Sequence, residues 1–560
     1  MSLSIQPSPA PGRGIPLGTP HSVVNSLPEW QDNVSLATGR SDLVGELETT
    51  YPRFYIHPFI LELTAIIVQT SDIAAGRNCL LFATRMFADE CRSYINTQVP
   101  SSSVNIQCVT EIANPPPPYN VFAVFFSAEL GHVMKFHMFS GCGLSTRLAE
   151  HCLLRHAGDT RPTLSLPSGA DHPFSAYYQK HLPFASVDDA KNVIRWRFSG
   201  VIEGGGNLRG VPGASPNDVY LLVSGMQAVW RSFRLLAGTI GSRSGMEVAK
   251  IAHVNLLYTD SYKFTDVVNN GYHFFTDETL DDLEALLASG TEERPAILGL
   301  YTDFPGNPHL RSADLHRLRA LADRYNFPII TDETVGGYLN VQTLPFSDVV
   351  VSSLTKLFSG HANVLGGALM LNPTSQFYEE FKAHMEATYE DSYFDSDALV
   401  MEMNSREFVQ RTAVVNRNAE ALADMLYARS VMGGAQNSIL QAVHYPKYRT
   451  RETYDRFRNP LAAEAGLATT GFGGLLSVTF TSLDAAKRFY SALKCYKGPT
   501  VGTVFTLATA FTAIAVPPDN VQWAEDHGVE ESLVGIFSVR QKANSNDKSR
   551  SARRCVLVLG

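Results

Sequence analysis

The sequence lacks any segment that would hold the protein in a membrane or direct it out of the cell. No stretch approaches the roughly eighteen uninterrupted apolar residues that a membrane-spanning helix needs. The N-terminal segment 1–20 is rich in Pro, Gly and Ser and contains no apolar core of the kind found in secretory signals. We therefore expect a cytoplasmic protein with no membrane partner.

Basic charge and paired cysteines are also scarce. The net charge is −9, whereas a protein whose main partner is nucleic acid usually has a strongly basic domain. The seven cysteines form no CxxC pair and show no metal-ligand spacing. We therefore expect reduced thiols, no metal and no nucleic-acid partner, which leaves an intracellular enzyme or scaffold.

The length of 560 residues is too great for one ordinary hydrophobic core, so several domains are expected. A helical pattern over 73–95 and an apolar run over 120–126 predict a small α/β domain near the N-terminus. The predicted division is a disordered N-terminus (1–25), an N-terminal α/β domain (26–165), a linker (166–186), a major domain (187–395), a C-terminal domain (396–540) and a polar, basic tail (541–560).

The central region alternates short apolar runs with helical patterns such as 312–325, which predicts a mostly parallel sheet in an α/β domain. Ligands of such sheets bind beyond the carboxyl ends of the strands. The runs that we interpret as strands are 218–223, 252–258, 296–301, 327–331 and 348–353.

The C-terminal region shows a different pattern. A long amphipathic helix is predicted over 405–429, followed by a strand over 474–480 and a helix over 483–493. This order is typical of an α+β domain.

A lysine follows the last central strand. The buried run 348–353 leads directly to Lys356, with hydroxyl groups at Ser353 and Thr355. A lysine delivered from a strand end into a buried setting loses its proton and becomes an amine nucleophile, and the two hydroxyls can donate hydrogen bonds to a phosphate. By itself the motif is equally compatible with a surface lysine.

Three other positions at strand ends can carry chemistry. Asp332 ends one buried strand and can pair with a protonated ring nitrogen, although an isolated aspartate is more often a helix cap or turn residue. Ser-Gly-Met at 224–226 joins a strand to a helix, where backbone N–H groups form an anion site. Tyr258 can stack on a flat ring or simply pack in the core.

The ordered set of a phosphate loop, Tyr258, Asn307, Asp332 and Lys356 resembles the cystathionine γ-synthase branch of the Cys/Met-metabolism enzymes that depend on pyridoxal 5′-phosphate (PLP). The resemblance is to the long fungal form, which has an extra N-terminal domain. It implies a type I (aspartate-aminotransferase-like) fold with PLP as cofactor. The similar segments are 50–58, 139–150, 303–323, 331–341, 353–367, 403–408 and 497–508.

The resemblance also implies roles for individual residues. Lys356 would be the Schiff-base lysine and proton shuttle, Asp332 would pair with the pyridinium nitrogen, and Tyr258 would stack on the ring. These three residues are the expected catalytic groups.

The remaining cofactor contacts follow from the same resemblance. Gly225 and Met226 would bind the phosphate through backbone amides, helped by the hydroxyls of Ser353 and Thr355. Asn307 would lie near the ring hydroxyl.

For the activity, the resemblance implies a transferase of transsulfuration and methionine biosynthesis that replaces the acyl group of an O-acyl-homoserine with cysteine. The alternatives are a specialised-metabolism transferase of the same C4 unit to another nucleophile and a catalytically weak paralogue that binds or assembles. A sulfhydrylase or a cystathionine lyase is disfavoured by the fungal N-terminal segments. A homodimer or homotetramer is expected.

The sequence departs from the family in two arginine-bearing elements. Gly535 stands where the family has a carboxylate-binding arginine, and Arg540 is a candidate substitute. Tyr178 and Lys180 stand where a Tyr-x-Arg element would reach a neighbouring subunit's phosphate. Tyr51–Arg53 has that pattern but lies in the N-terminal domain, so we interpret it as structural.

Overall fold

The computed structural model describes residues 8–71, 73, 77–108, 119–157, 187–201, 206–243, 246, 249–268, 271–291, 295–465, 470–516 and 521–538. Within these residues the strands form three sheets, of three, seven and five strands. The predicted linker, the tail, Tyr178, Lys180 and Arg540 lie outside the described residues. In the part of the chain that is described, no helix is both long and apolar enough to cross a membrane.

The N-terminal sheet is antiparallel, in the order β1-β3-β2. Its strands are Asn78–Phe82 (β1), Val104–Cys108 (β2) and Phe122–Phe126 (β3). Helices Pro58–Thr70, Arg85–Gln98, Leu130–Ser140 and Thr146–His156 pack with it.

The helix predicted over 73–95 is wrong in its first half, because that stretch contains β1. The strand residues 79–82 are consecutively buried, as in a strand covered on both faces. The hydroxyl of Thr84 then accepts a hydrogen bond from Phe87 N at 3.3 Å and starts the helix that follows.

Residues 8–25, which were expected to be disordered, are packed against the rest of the protein. Ile15 and Val24 are fully buried and form a small core with Tyr51 and Leu507. Val23 N donates to Ala362 O at 2.8 Å. The apolar partners lie far away in sequence, so local composition did not reveal them. Helices Trp30–Ala37 and Ser41–Val44 follow.

The central sheet has the order β4-β10-β9-β8-β7-β5-β6. The pairs from β6 to β9 are parallel, whereas β10 is antiparallel to both β4 and β9, so the prediction of a mostly parallel sheet is confirmed. The strands are Val219–Leu222 (β4), Ile251–Val254 (β5), Tyr272–Phe275 (β6), Leu300–Asp303 (β7), Ile329–Asp332 (β8), Val349–Ser352 (β9) and Gly367–Leu371 (β10).

The central strands are buried on both faces because their side chains alternate between two cores. In β4, Val219 and Leu221 belong to one core, and Tyr220 and Leu222 belong to the other. The helices of this region are Val187–Ser199, Gly225–Gly238, Thr259–Val268, Leu280–Leu287, Leu315–Tyr325, Tyr378–Thr388 and Asp395–Ser405, with short 3₁₀ turns at Pro216–Asp218, Ile240–Ser242 and Leu344–Phe346.

The third sheet has the order β11-β12-β15-β14-β13 and confirms an α+β C-terminal region. Its strands are Leu440–His444 (β11), Leu475–Phe480 (β12), Tyr496–Lys497 (β13), Leu507–Thr509 (β14) and Val534–Phe537 (β15). The accompanying helices are Phe408–Tyr427, Pro446–Arg449, Arg451–Arg456, Pro460–Glu464, Leu483–Ala492, Phe511–Ala515 and Val521–Asp526.

A buried ion pair fixes the end of β8. Glu333, the residue after Asp332, forms an ion pair with Arg209, and each side chain is 1% exposed. The hydroxyl of Thr343 also donates to Glu333 at 2.7 Å. The Arg209 guanidinium lies 4.3 Å from the ring centroid of Tyr338. The ion pair between Arg209 and Glu333 therefore fixes the backbone directly after Asp332.

We expect Arg209→Ala to lower the free energy of unfolding by about 3–5 kcal/mol, because it leaves a buried carboxylate without its partner. Urea denaturation followed by circular dichroism measures the change. Arg85→Ala, which breaks an exposed pair with Asp89, is the control and should cost less than about 1 kcal/mol. Equal losses in the two variants would contradict the assignment.

Candidate active site

The predicted site residues lie at one edge of the central sheet. Tyr258 follows β5, Asp332 ends β8 and Lys356 follows β9. Because β5, β7, β8 and β9 run parallel, their carboxyl ends meet at this edge. The structure thus brings together residues that are up to about a hundred positions apart in sequence.

The amine of Lys356 loses its proton far more readily than that of an ordinary lysine. Its Nζ donates to Thr500 Oγ1 at 2.7 Å and lies 4.9 Å from the ring centroid of Tyr51. Burial, together with the positive charge of Arg53, lowers the pKa of Lys356 to about 7. A Cβ atom at Gly502 would lie 2.6 Å from the Cα of Lys356, so this close approach requires glycine. The amine is therefore available as a nucleophile and base.

Two carboxylates, the buried Asp303 and the partly buried Asp332, lie on neighbouring strands beside this lysine's strand. Asp303 and Asp332 are register partners in β7 and β8. Burial raises the pKa of Asp332 to about 6, although the backbone N–H of Thr334 donates to its Oδ1 at 2.8 Å. Burial and the adjacent Asp332 carboxylate raise the pKa of Asp303 well above its usual range.

The acid pair is poised for a cationic partner. Asp303 Oδ2 accepts from Tyr258 N at 2.8 Å, while its Oδ1 is buried and has no hydrogen-bond partner among the described residues. A protonated ring nitrogen beside the pair would stabilise the ionised carboxylates. The lack of a positively charged partner for these carboxylates among the described residues fits a pyridinium group bound at Asp332.

The loop before helix Gly225–Gly238 fits an anion. Ser224 caps the helix by accepting from Gln227 N at 3.1 Å. A Cβ atom at Gly225 would lie 2.4 Å from the Cβ of Ser353, so the absence of a side chain there lets the two loops touch. The Ser353 hydroxyl is buried without a hydrogen-bond partner among the described residues. An unpaired hydroxyl beside a helix N-terminus suits a phosphate group.

The other predicted cofactor contacts lie around this loop and at the same sheet edge. The hydroxyl of Thr355 accepts a hydrogen bond from Gly366 N at 3.0 Å. The side chain of Met226 packs in the core, so a ligand at this loop would contact the backbone of Met226. Asn307 N donates to Leu256 O at 3.0 Å, so its loop packs on the segment that leads to Tyr258.

Arg53 was missed by the sequence interpretation. Its guanidinium donates to the hydroxyl of Tyr258, and its Nη1 lies 2.6 Å from Asp260 Oδ2. Although burial acts in the opposite direction, Arg53 holds the pKa of Asp260 below its usual range. The sequence interpretation of Tyr51–Arg53 as structural did not include these contacts with Tyr258 and Asp260, which arise because the N-terminal segment folds back onto the sheet edge.

Asp303 and Thr500 were also missed. Asp303 carried a signal, since it ends a buried strand as Asp332 does. Thr500 lies on a loop of the C-terminal region, and its position gave no local signal. The one sequence signal at Tyr51 and Arg53 was the Tyr-x-Arg pattern that they form.

Gly535 leaves open space near the site. It lies on β15 opposite Ser477 and Thr509, and a Cβ atom there meets no described residue within 4 Å. The hydroxyl of Thr509 lies 3.3 Å from Thr500 O, and Thr500 is the partner of Lys356. Residues paired across a sheet share a face, so the space at Gly535 lies on the same face as the side chain of Thr509.

Residues 213–537 match the family of Cys/Met metabolism PLP-dependent enzymes, and residues 59–145 match the fungal trans-sulfuration enzyme N-terminal domain. The cystathionine gamma-synthase-like enzyme iboG1 of Amanita muscaria is 36% identical over 581 residues, with 94% of each chain covered.

Two further relatives show the range of the family. The cystathionine gamma-synthase of Neurospora crassa is 32% identical over 613 residues, with 94% of each chain covered. The alanine racemase ungC of Aspergillus violaceofuscus is 29% identical over 546 residues, covering 90% of this chain and 89% of the racemase. With its buried lysine, acid pair and anion loop, this chain belongs to the PLP-dependent enzymes of Cys/Met metabolism, in the form that carries the fungal trans-sulfuration N-terminal domain.

Proposed function

We propose that the protein catalyses γ-replacement on an O-acyl-homoserine with cysteine as the nucleophile, as a cystathionine γ-synthase does. The observation that carries the proposal is the Lys356 amine, whose pKa is lowered to about 7 by burial and by Arg53. A base of that pKa can both take and return protons near neutral pH. The full-length similarity to the cystathionine gamma-synthase of Neurospora crassa supports the same reaction.

When bound, PLP supplies an electron sink that makes the protons at Cα and Cβ of an amino acid acidic. Its binding groups would come from both loops and from the strand ends. They would be Gly225, Met226, Ser353 and Thr355 at the phosphate, Asp332 at the ring nitrogen, Asn307 at the ring hydroxyl, Tyr258 on the ring face and Lys356 at the aldehyde carbon.

Lys356 moves the protons in this scheme. Its neutral Nζ would take the proton from Cα, release it, and then take one from Cβ; both protons would be returned to the carbon chain once the new Cγ–S bond has formed. Thr500 Oγ1, 2.7 Å from Nζ, would keep the amine oriented between transfers. The acyl group leaves Cγ as a carboxylate with its bonding electrons. The cysteine sulfur then bonds to Cγ and gives up its proton, so the products are cystathionine and a free carboxylic acid.

Arg53 positions these groups from within the same chain. It holds the Tyr258 hydroxyl and Asp260 together and adds the positive charge that favours the neutral form of Lys356. In this proposal Tyr51 and Arg53 take the place of the Tyr-x-Arg element that the family resemblance assigns to a neighbouring subunit.

A transferase that joins the same C4 unit to another nucleophile is the second candidate. It is favoured by the open space at Gly535, because an arginine that would bind the substrate carboxylate is missing there. A relative named alanine racemase supports a spread of reactions on this scaffold.

With O-acetylhomoserine and cysteine, we expect the wild-type protein to release acetate and form cystathionine. Lys356→Ala should lower the rate by about 100–10,000-fold and abolish the visible absorbance band of the lysine-bound cofactor. Lys487→Ala, an exposed lysine on helix Leu483–Ala492, is the matched control. A wild-type protein without the band would refute cofactor binding. Acetate release without cystathionine would favour another nucleophile, and a band without acetate release would refute γ-replacement.

The uptake of PLP by the cofactor-free protein should rise with pH, with a midpoint near pH 7, and level off at higher pH, because only the neutral amine of Lys356 reacts. Arg53→Gln should shift the midpoint to higher pH, since the removed positive charge no longer disfavours the ammonium form. Stopped-flow absorbance across a pH series measures both midpoints. Arg53→Lys keeps the charge and should stay near the wild-type midpoint. An unshifted Arg53→Gln midpoint would refute the electrostatic role.

If the substrate carboxylate lies beside Gly535, Gly535→Arg should raise kcat/KM for O-acetylhomoserine by about 10–100-fold, mainly through KM. The backbone of Gly535 does not require glycine, because its φ is not positive. Gly535→Leu adds bulk without charge and serves as the control. Equal losses of kcat/KM in both variants would place the carboxylate elsewhere. Steady-state kinetics with acetate detection separates the outcomes.

A further inference from the structure

A second group of polar side chains lies where the loop after β7 meets the C-terminal region. His309, His444 and Glu530 each bring one ligand atom within 4.8 Å of the others. His309 Nε2 is 2.8 Å from Glu530 Oε2, and His444 Nε2 is 3.7 Å from Glu530 Oε1. The two imidazole rings are nearly parallel, with centroids 4.7 Å apart.

His444 is a buried histidine whose ring nitrogens make no hydrogen bond to any described residue. The side chain is fully buried, and neither ring nitrogen finds a partner among the described residues. Leaving a buried polar group unsatisfied costs about 1–3 kcal/mol, so such a group needs an explanation. A ligand that accepts the lone pair of an imidazole nitrogen would remove this cost.

The three side chains are of the types that hold a transition-metal ion. A neutral imidazole offers a nitrogen lone pair and a carboxylate offers an oxygen, and metal binding displaces the protons of such groups. His309 Nε2 and Glu530 Oε2 already lie 2.8 Å apart, so an ion bound between them would replace the proton of their hydrogen bond.

The surroundings tolerate a cation. Arg311 and Arg449 lie near His444, but Arg311 is held by Asp277 through two hydrogen bonds of 2.7 Å and also contacts Glu278. Together with the carboxylate of the cluster itself, the acidic groups outnumber the two guanidinium groups.

We propose that His309, His444 and Glu530 bind a divalent transition-metal ion of the Zn²⁺ class, with the fourth position open to water. Two imidazole nitrogens and one carboxylate oxygen are ligands that Zn²⁺ accepts at about 2.0–2.2 Å, whereas Mg²⁺ and Ca²⁺ prefer oxygen alone. Ligand atoms already within 4.8 Å need only small side-chain movements to reach that geometry.

The ion joins the two catalytic regions of the chain. His309 lies two residues after Asn307, while His444 and Glu530 belong to the C-terminal region that also supplies Thr500. The same contact is supported by a hydrogen bond of 2.8 Å from Ser312 N to Thr450 Oγ1. The ion therefore fixes the loop of Asn307 against the region that orients Lys356.

The test uses untagged, PLP-loaded protein treated with EDTA and then titrated with ZnCl₂. We expect one Zn²⁺ per chain by equilibrium dialysis with elemental analysis, and a higher melting temperature when the ion is bound. His309→Ala and Glu530→Gln should each weaken binding at least about tenfold. His132→Ala and Cys108→Ser, at exposed positions, are the matched controls and should leave binding unchanged.

Two results would overturn the proposal. One is the absence of saturable one-to-one binding in the wild-type protein. The other is binding that survives His309→Ala and Glu530→Gln, which would make the ion adventitious. His444 is fully buried, so replacing it would also disturb the fold. Glu530 is half-exposed, so Glu530→Gln is the substitution that decides the test. The visible absorbance band of bound PLP reports folding in every sample, which separates failure of this site from failure of the proposed reaction.

Discussion

The burial of one amine, that of Lys356, is the constraint on which the site depends. An ammonium group is poorly solvated in a buried pocket, so the neutral form is favoured, and the charge of Arg53 strengthens the effect. Several distant residues serve this placement. Thr500 supplies the hydrogen bond that orients Nζ, and Gly502 lacks the Cβ atom that would collide with the lysine backbone. A reactive lysine therefore requires the C-terminal region as well as the central sheet.

The acid pair is the electrostatic counterpart of that amine. Parallel pairing of β7 with β8 places Asp303 directly opposite Asp332, and burial keeps both from ionising easily. Arg209 forms an ion pair with the next carboxylate, Glu333. Among these three described carboxyl groups, Asp303 and Asp332 are therefore the two that a bound cation would stabilise. The sheet register thus creates a site that a cationic ring completes.

The sequence predicted the parts of the site that depend on local pattern. Lys356 and Asp332 follow buried apolar runs, and both runs are strands in the structure. The stretch 73–95 was misjudged because one apolar run suits a strand or a buried helix equally well. Arg53 and Thr500 could not be placed, since their positions follow from how the N-terminal and C-terminal regions fold onto the sheet. Contacts over hundreds of residues leave no periodic trace in the sequence.

The two departures from the family have different physical consequences. Arg53 brings a guanidinium beside Tyr258, where it is engaged by Asp260 and the Tyr258 hydroxyl. Transferring it to a substrate carboxylate would leave Asp260 as a buried, unpaired charge, which is strongly unfavourable. Arg53 therefore does not replace the arginine missing at Gly535, where space stays open. Under the proposed function, the residues of the cofactor side therefore keep the charges that PLP binding needs, and the departure from the family resemblance falls on the substrate side, at Gly535.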